Sequence, residues 1–282
     1  DALFNSLTLK LEYPYQRGIF GSFAWTTSTA IDYMSAGSIA SGSWQSALSV
    51  NGNNDLGLSF ADAFVNNRLV GLLGYRLEYG KGFGGATSFT LGYVGNQGNP
   101  FTYTISGDMN GDRVNGNELI FVPSQWQDIE FVPLTVGTRV YSKEEQQAAF
   151  WNYVNQDDYL KTRNGQYAER NASVIPMLHR FDLSVVQDFF VNVKGQRNTI
   201  QLRFDILNFG NMVDNKWGVS QRATNPSVLT YSSVVNNEPV YKLATQKLAD
   251  GSTVLLKDTY SRNSSVFDVW TAQFGIRYIF GR

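Results

Sequence analysis

The chain has 282 residues, a formal net charge of −1 and only 17% charged side chains, so it carries no electrostatic footprint for nucleic acid. It has no cysteine, which excludes a disulfide framework and thiolate metal sites, and no run of about 18 apolar residues that would encode a transmembrane helix. Its biases are glycine (26) and aromatics (15 tyrosines, 19 phenylalanines, 6 tryptophans), which transmembrane β-barrels use as turn residues and interfacial girdles.

Seven long segments alternate apolar and polar residues, the period of a β-strand with two unlike faces. The first, 3–13, follows no signal-peptide pattern and sets Leu7, Leu9, Leu11 and Tyr13 against Thr8, Lys10 and Glu12. The second, 18–32, places Ile19, Phe23 and Trp25 on one parity. In the third, 68–80, Leu69, Leu73, Tyr75, Leu77 and Tyr79 oppose Arg76 and Glu78. The fourth, 83–106, carries Phe89, Leu91 and Tyr93, then Phe101, Tyr103 and Ile105. The fifth, 179–193, sets Phe181, Leu183, Val185, Phe189, Val191 and Val193 against Arg180, Asp182, Ser184 and Asp188. The sixth, 198–209, sets Ile200, Leu202, Phe204 and Ile206 against Gln201, Arg203 and Asp205. The last, 266–281, runs Val266, Asp268, Trp270, Ala272, Phe274, Ile276, Tyr278 and Phe280 on one parity, with Thr271, Gln273, Gly275 and Arg277 on the other.

Short and long connections between these segments alternate. "PYQRG", "GKG" and "KG" close three hairpins, while 33–67, 107–178 and 210–265 are long. A compact soluble domain has mostly short connections, whereas an outer-membrane barrel has short periplasmic turns and long extracellular loops. Residues paired across a hairpin share a face, and the turn lengths pair Phe189 with Ile200, Val185 with Phe204, Tyr79 with Phe83, Leu73 with Phe89, Tyr13 with Ile19 and Leu9 with Phe23. Apolar meets apolar in every hairpin. The expected fold is all-β, with seven antiparallel strands in the wall of a transmembrane barrel and the C-terminus on the periplasmic side, where Tyr278 and Phe280 join the aromatic girdle. Arg76, Glu78, Arg180, Asp182, Asp188, Arg203, Asp205 and Arg277 would then line the interior, pairing with one another.

Four motifs remain. "GKGFGG" matches the spacing of a dinucleotide-binding loop, but strands on both sides make it a hairpin turn. "GDMNGDRVNGNEL" places Asp108, Asn110 and Asp112 at alternate positions, with Asn115, Asn117 and Glu118 following, an all-oxygen set suited to calcium. It is not an EF-hand, since Arg113 stands where that loop needs glycine and position twelve is Leu119; without metal it reads as a set of Asx turns. "SKEEQQAAFWNYV" predicts a helix opened by a Ser142–Glu145 capping box inside the central loop, with Phe150, Trp151 and Val154 packing on that loop. His179, the only histidine, has no nucleophile motif beside it and is expected to be structural at the rim.

"RLVGLLGYRLEYGKGF" (68–83), "GNPFTYTISGDMNGDRVNGNELIFVPS" (98–124), "YLKTRNGQYAERNASVIPMLHRFDLSVVQDF" (159–189), "LRFDILNFGNMVDNKWG" (202–218) and "FGIRYIFG" (274–281) together resemble the C-terminal barrel portion of TonB-dependent outer-membrane receptors, of the Oar-like group found in Bacteroidetes and relatives. The resemblance implies a barrel of about 22 strands plugged by an N-terminal domain. Plug and TonB box map onto no residue here, so the chain is expected to be the last seven strands of a larger protein. Implied partners are outer-membrane lipid, the rest of the barrel and its plug, the TonB complex through the missing N-terminal part, and a surface lipoprotein or other outer-membrane proteins.

The expected function is transport of a large substrate, nutrient or protein, across the bacterial outer membrane, with no enzymatic role. Two alternatives stand beside it. One is an outer-membrane anchor whose surface loops bind a partner or adhesion target. The other is a small self-contained barrel pore or enzyme, which needs an eighth strand hidden in 227–256.

Overall fold

The computed structural model describes residues 2–35, 37, 39–62, 66–80 and 83–280. All seven alternating segments become long strands: β1 (Leu3–Gln16), β2 (Ile19–Asp32), β3 (Asn67–Gly80), β4 (Phe83–Asn96), β5 (Leu178–Val193), β6 (Gln196–Leu207) and β7 (Thr271–Ile279). Each pairs antiparallel with its neighbour in chain order, and Ser59–Phe60 adds a two-residue strand at one end of β2. With 53% strand and 12% helix the protein is all-β. The sheet is open among the described residues, with β1 and β7 at its two edges.

The turns explain which pairings the sequence reveals. At Lys194-Gly195 both residues have positive φ (51° and 81°), the twist a two-residue hairpin requires. There the expected pairs Phe189–Ile200 and Val185–Phe204 form. The first hairpin instead turns at Arg17-Gly18 (φ 52° and 88°), and an irregularity between Tyr13 and Gln16 absorbs the rest of the expected five-residue turn. Leu9 therefore meets Trp25, and Leu11 meets Phe23. In the β3–β4 hairpin Tyr79 meets Gly85, Leu73 meets Leu91 and Tyr75 meets Phe89; residues 81 and 82 of the "GKG" turn lie outside the described residues. Both corrections are shifts of two residues, which leave every side chain on its expected face.

Two segments end early. The expected strand 83–106 stops at Asn96, because Pro100 has no N–H for the ladder and Gly98 lies so close to Ile175 that a Cβ would meet it at 2.3 Å. Pro100–Phe101 pairs instead with Ser173–Val174, and Thr104–Ser106 joins another sheet. The expected strand 266–281 begins only at Thr271, since Val266–Asp268 is a 3-10 turn whose buried Asp268 is held by Arg180 and Ser220.

On one face the register lines up Tyr75, Phe89, Val185, Phe204 and Phe274 in a single row across five strands. The adjacent row runs Leu73, Leu91, Leu183, Ile206 and Ala272. Most of this face stays exposed: Leu73 is 60% exposed, Phe274 64% and Ile276 69%, and Ile206 alone of the two rows is buried. The row of Tyr79, Phe189, Ile200 and Tyr278 bounds it at the short-turn end, and Trp25, Tyr93 and His179 mark the loop end. Thr87 and Gln187 interrupt the apolar face but satisfy each other (2.7 Å) and the Tyr79 hydroxyl (2.7 Å). On the opposite face the tip of the Phe20 ring sits over Gly74, where a Cβ would meet it at 2.1 Å, so a larger residue there would force the ring to move.

The long connections 97–177 and 208–270 are not structureless. They fold together into a second layer with its own sheet, ordered Glu130–Phe131, Glu238–Leu243, Ser227–Val235, Thr104–Ser106 and Glu118–Leu119. The residues 227–256 thus supply this sheet and no eighth long strand to the first one. The connection 33–66 carries the short helix α1 (Ala40–Gln45), and 97–177 carries α2 (Lys143–Gln156) with the expected capping box at Ser142 and Glu145. Phe150, Tyr153 and Val154 pack with Tyr103, Ile105, Ile120, Phe131, Leu160, Leu229, Leu243 and Leu256 into a buried cluster, while Trp151 stays half-buried. Buried Gln146 pins α2 by donating to Val132 O (2.8 Å) and accepting from Leu243 N (3.1 Å).

At the cluster's polar edge Tyr103 donates to Asp157 (2.5 Å), as does Thr259 (2.8 Å). Burial, with the Asp157 carboxylate adding to it, holds the Tyr103 phenol well above the usual tyrosine range, and burial raises Tyr153 as well. Below pH 10 these phenols are neutral in both folded and unfolded chains. Above it the unfolded chain loses protons that the folded one keeps, so stability falls as pH rises. The loop layer is expected to loosen above about pH 10 while absorbance at 295 nm reports these two phenols ionising only on unfolding. Their ionisation with the native fold intact would show that the cluster is hydrated.

Candidate functional site

Charged residues of the polar parity assemble on one face of the sheet, as expected from the sequence. Arg76 contacts Asp188 (2.9 Å) and Glu78 (3.0 Å), and Gln201 donates to Asp188 (2.8 Å). Arg203 and Gln273 both bind Asp205 (2.7 and 3.0 Å). Arg180 pairs with Asp268 (2.7 Å), and Asp182 accepts from Asn208 N (2.7 Å). Arg277 sits opposite Gln201 and makes no ion pair among the described residues. Asp188 and Asp205 are buried and fully bonded, which makes this a satisfied polar wall rather than a set of free charges. His179 lies at the loop end of β5, its Nδ1 bonded to the Tyr93 hydroxyl (2.8 Å) and its ring stacked on Tyr93.

At the junction of the two layers Arg170 is 7% exposed and pairs with Asp32, both through its carboxylate and through its carbonyl (2.8 Å), with Asp62 at 3.7 Å. Asn171 adds bonds to Phe60 O (2.9 Å) and Asp62 (2.7 Å). This joins the connection 33–66 to the connection 97–177. Nothing in the sequence around Arg170 announces it, because its partners stand more than a hundred positions away.

The acidic loop 107–118 closes on itself. Asp108 accepts from Gly111 N (2.8 Å) and Arg113 N (3.0 Å), Asn110 from Asp112 N (2.9 Å), and Asp112 from Val114 N (2.8 Å). These are the Asx turns that the sequence allows without metal. Arg113 takes φ +70° here, and Gly107, Gly111 and Gly116 are also left-handed. Asn115 is spent on Gly107 N (2.7 Å). The Asp112 carboxyl is held below its usual range by its bonds from Asn117 and Val114 N. Glu118 bonds Met109 N (2.8 Å) and Asn110 N (3.3 Å). Among the described residues no group of three or more His, Cys, Asp or Glu is arranged to hold a metal. Beside the loop, Ile105, Met109, Phe121, Pro123, Tyr167 and Tyr241 line a cleft of about 520 Å³; burial pushes the Tyr241 phenol up to about 12.

Compared with protein-family models, with curated proteins and with solved structures, the chain matches none.

Replacing Arg170 with Met strands the Asp32 carboxylate and should cost about 3–5 kcal/mol, as loss of one partner from a buried pair does. Chymotrypsin should then cut within 33–62 several-fold faster than in the wild type. Unchanged cleavage would mean that Asn171 alone holds the junction.

Proposed function

We propose that this chain belongs to a TonB-dependent transporter of the bacterial outer membrane and forms part of the wall of a barrel of about 22 strands, through which a large substrate, nutrient or protein, crosses. The observation that carries the proposal is the exposed apolar face of the seven-stranded sheet, bounded by aromatic rows and backed by paired charges. In water such a face is a severe liability, since soluble monomers rarely expose contiguous apolar patches beyond a few hundred Å². In lipid it is the required surface. The two unpaired edge strands also favour a larger closed sheet, because open edges do not occur in hydrocarbon. The short turns then face the periplasm and the folded loop layer faces outward.

The anchor reading retains one supporting observation. The surface loops are a packed layer with a cleft, which suits partner binding as well as gating. Culture supernatants separate the two: energised wild-type cells should deplete a solute that cells lacking the protein, or treated with an uncoupler, leave behind. Identical depletion profiles would favour the anchor.

Topology is tested separately. An epitope inserted at Gly137, at the tip of the hairpin 134–141, should be reached by antibody on intact cells, and one at Gly195 only after permeabilisation. Leu73→Arg at mid-band should cost roughly 2–4 kcal/mol in vesicles, and Gln201→Arg on the charged face far less. Equal costs would remove the lipid-facing assignment.

A further inference from the structure

Glu118 is 3% exposed, and although its Oε1 takes two backbone N–H bonds, its Oε2 is buried without a partner. Its neighbour Asn117 is 2% exposed and repeats the pattern: Nδ2 donates to Asp112 Oδ2 (2.8 Å), while Oδ1 is buried and unpartnered. Each orphan oxygen is bonded to the same carbon as an atom already tied to the loop, Asn117 to Asp112 and Glu118 to the Met109 and Asn110 backbone. None of Asp108, Asp112 and Glu118 forms an ion pair among the described residues. A buried carboxylate without countercharge is expensive, and so is an unpaired buried amide oxygen. One cation in contact with both oxygens would relieve both.

We propose that the loop 107–118 binds calcium, with Glu118 and Asn117 as its buried ligands and Asp112 as the third side chain. Three acids alone do not converge there, so the cage takes amide and carbonyl oxygens as well, the mixed all-oxygen set that calcium accepts and that magnesium, with its strict octahedron, does not favour. The ion ties two connections together, because Asn117 also donates to Gln45 O of α1 (3.4 Å) and its carbonyl accepts from Ser49 N (3.0 Å). This inference is independent of the transport reading, since the loop lies in the second layer.

The test uses the full-length protein purified in detergent and stripped with a chelator. Tyr241 donates to Met109 inside the loop (3.4 Å) and can sensitise terbium luminescence. Terbium should bind saturably and be displaced by calcium with a Kd of about 10⁻⁴–10⁻³ M, typical of extracellular calcium modules. Glu118→Gln should weaken calcium at least tenfold, and Asp250→Asn, at an exposed turn elsewhere, should not. If Glu118→Gln fails to fold, Asp112→Asn at the exposed side of the site should give the same loss. Calcium should also slow chymotrypsin cleavage within 39–55 and trypsin cleavage at Arg113. No saturable binding, wild-type affinity in both loop variants, or equal displacement by magnesium would overturn the proposal.

Discussion

The antiparallel backbone ladder is the constraint on which the rest of this protein depends. Once strands pair in chain order, a side chain's face is fixed by parity alone, and a residue can change sides only by breaking hydrogen bonds. The apolar rows across β3 to β7 and the arginine–carboxylate pairs behind them are two readings of that one rule. Its strength is visible where the register differs from expectation. The Arg17-Gly18 turn and the β3–β4 turn each move their strands by two residues, and neither moves one side chain to the other face.

That is why so much of the sheet could be read in the sequence and so little of the loop layer. Strand existence follows from periodicity, which is local. Turn position follows from which residues tolerate positive φ, and Arg17 is a poor advertisement for it beside Pro14 and Gly18. The strand breaks at Asn96 and before Thr271 depend on tertiary partners: Ile175 crowding Gly98, and Arg180 drawing in Asp268. No window of sequence contains those pairs. Of the candidate site, the acidic loop and the capped helix α2 were legible because their hydrogen-bond partners and caps are near in sequence. Arg170, the cleft by Tyr241 and the buried state of Glu118 were not, since each is created by chain segments brought together from afar.

The two layers are stabilised by different physics. The loop layer has a conventional core, with Phe150, Ile120 and Leu256 fully buried and the polar groups at its edge bonded to Asp157. The sheet has little core of its own, and β1 is exposed along its whole length. In water much of its apolar side would stay exposed after folding. Under the proposed placement the lipid supplies the solvent for that side and the charged side stays wet, so the two layers need not share a common interior.

This division bears on the charged face. Arg76–Asp188 and Arg203–Asp205 in a dry interior would have to overcome a desolvation cost of several kcal/mol per ion, and apolar replacements would often serve as well. Facing water, the same pairs cost little, and their arginines remain half-buried to exposed while the aspartates beneath are fully bonded. The geometry is that of carboxylates fixed by neighbouring amides and capped by arginine on the water side. Glu78, more exposed than the Arg76 it pairs with, keeps that part of the wall from being simply positive, so the face is one of matched charges rather than of one sign. The apolar side of the same strands offers no such charges, and that asymmetry makes a sheet suitable for separating two solvents.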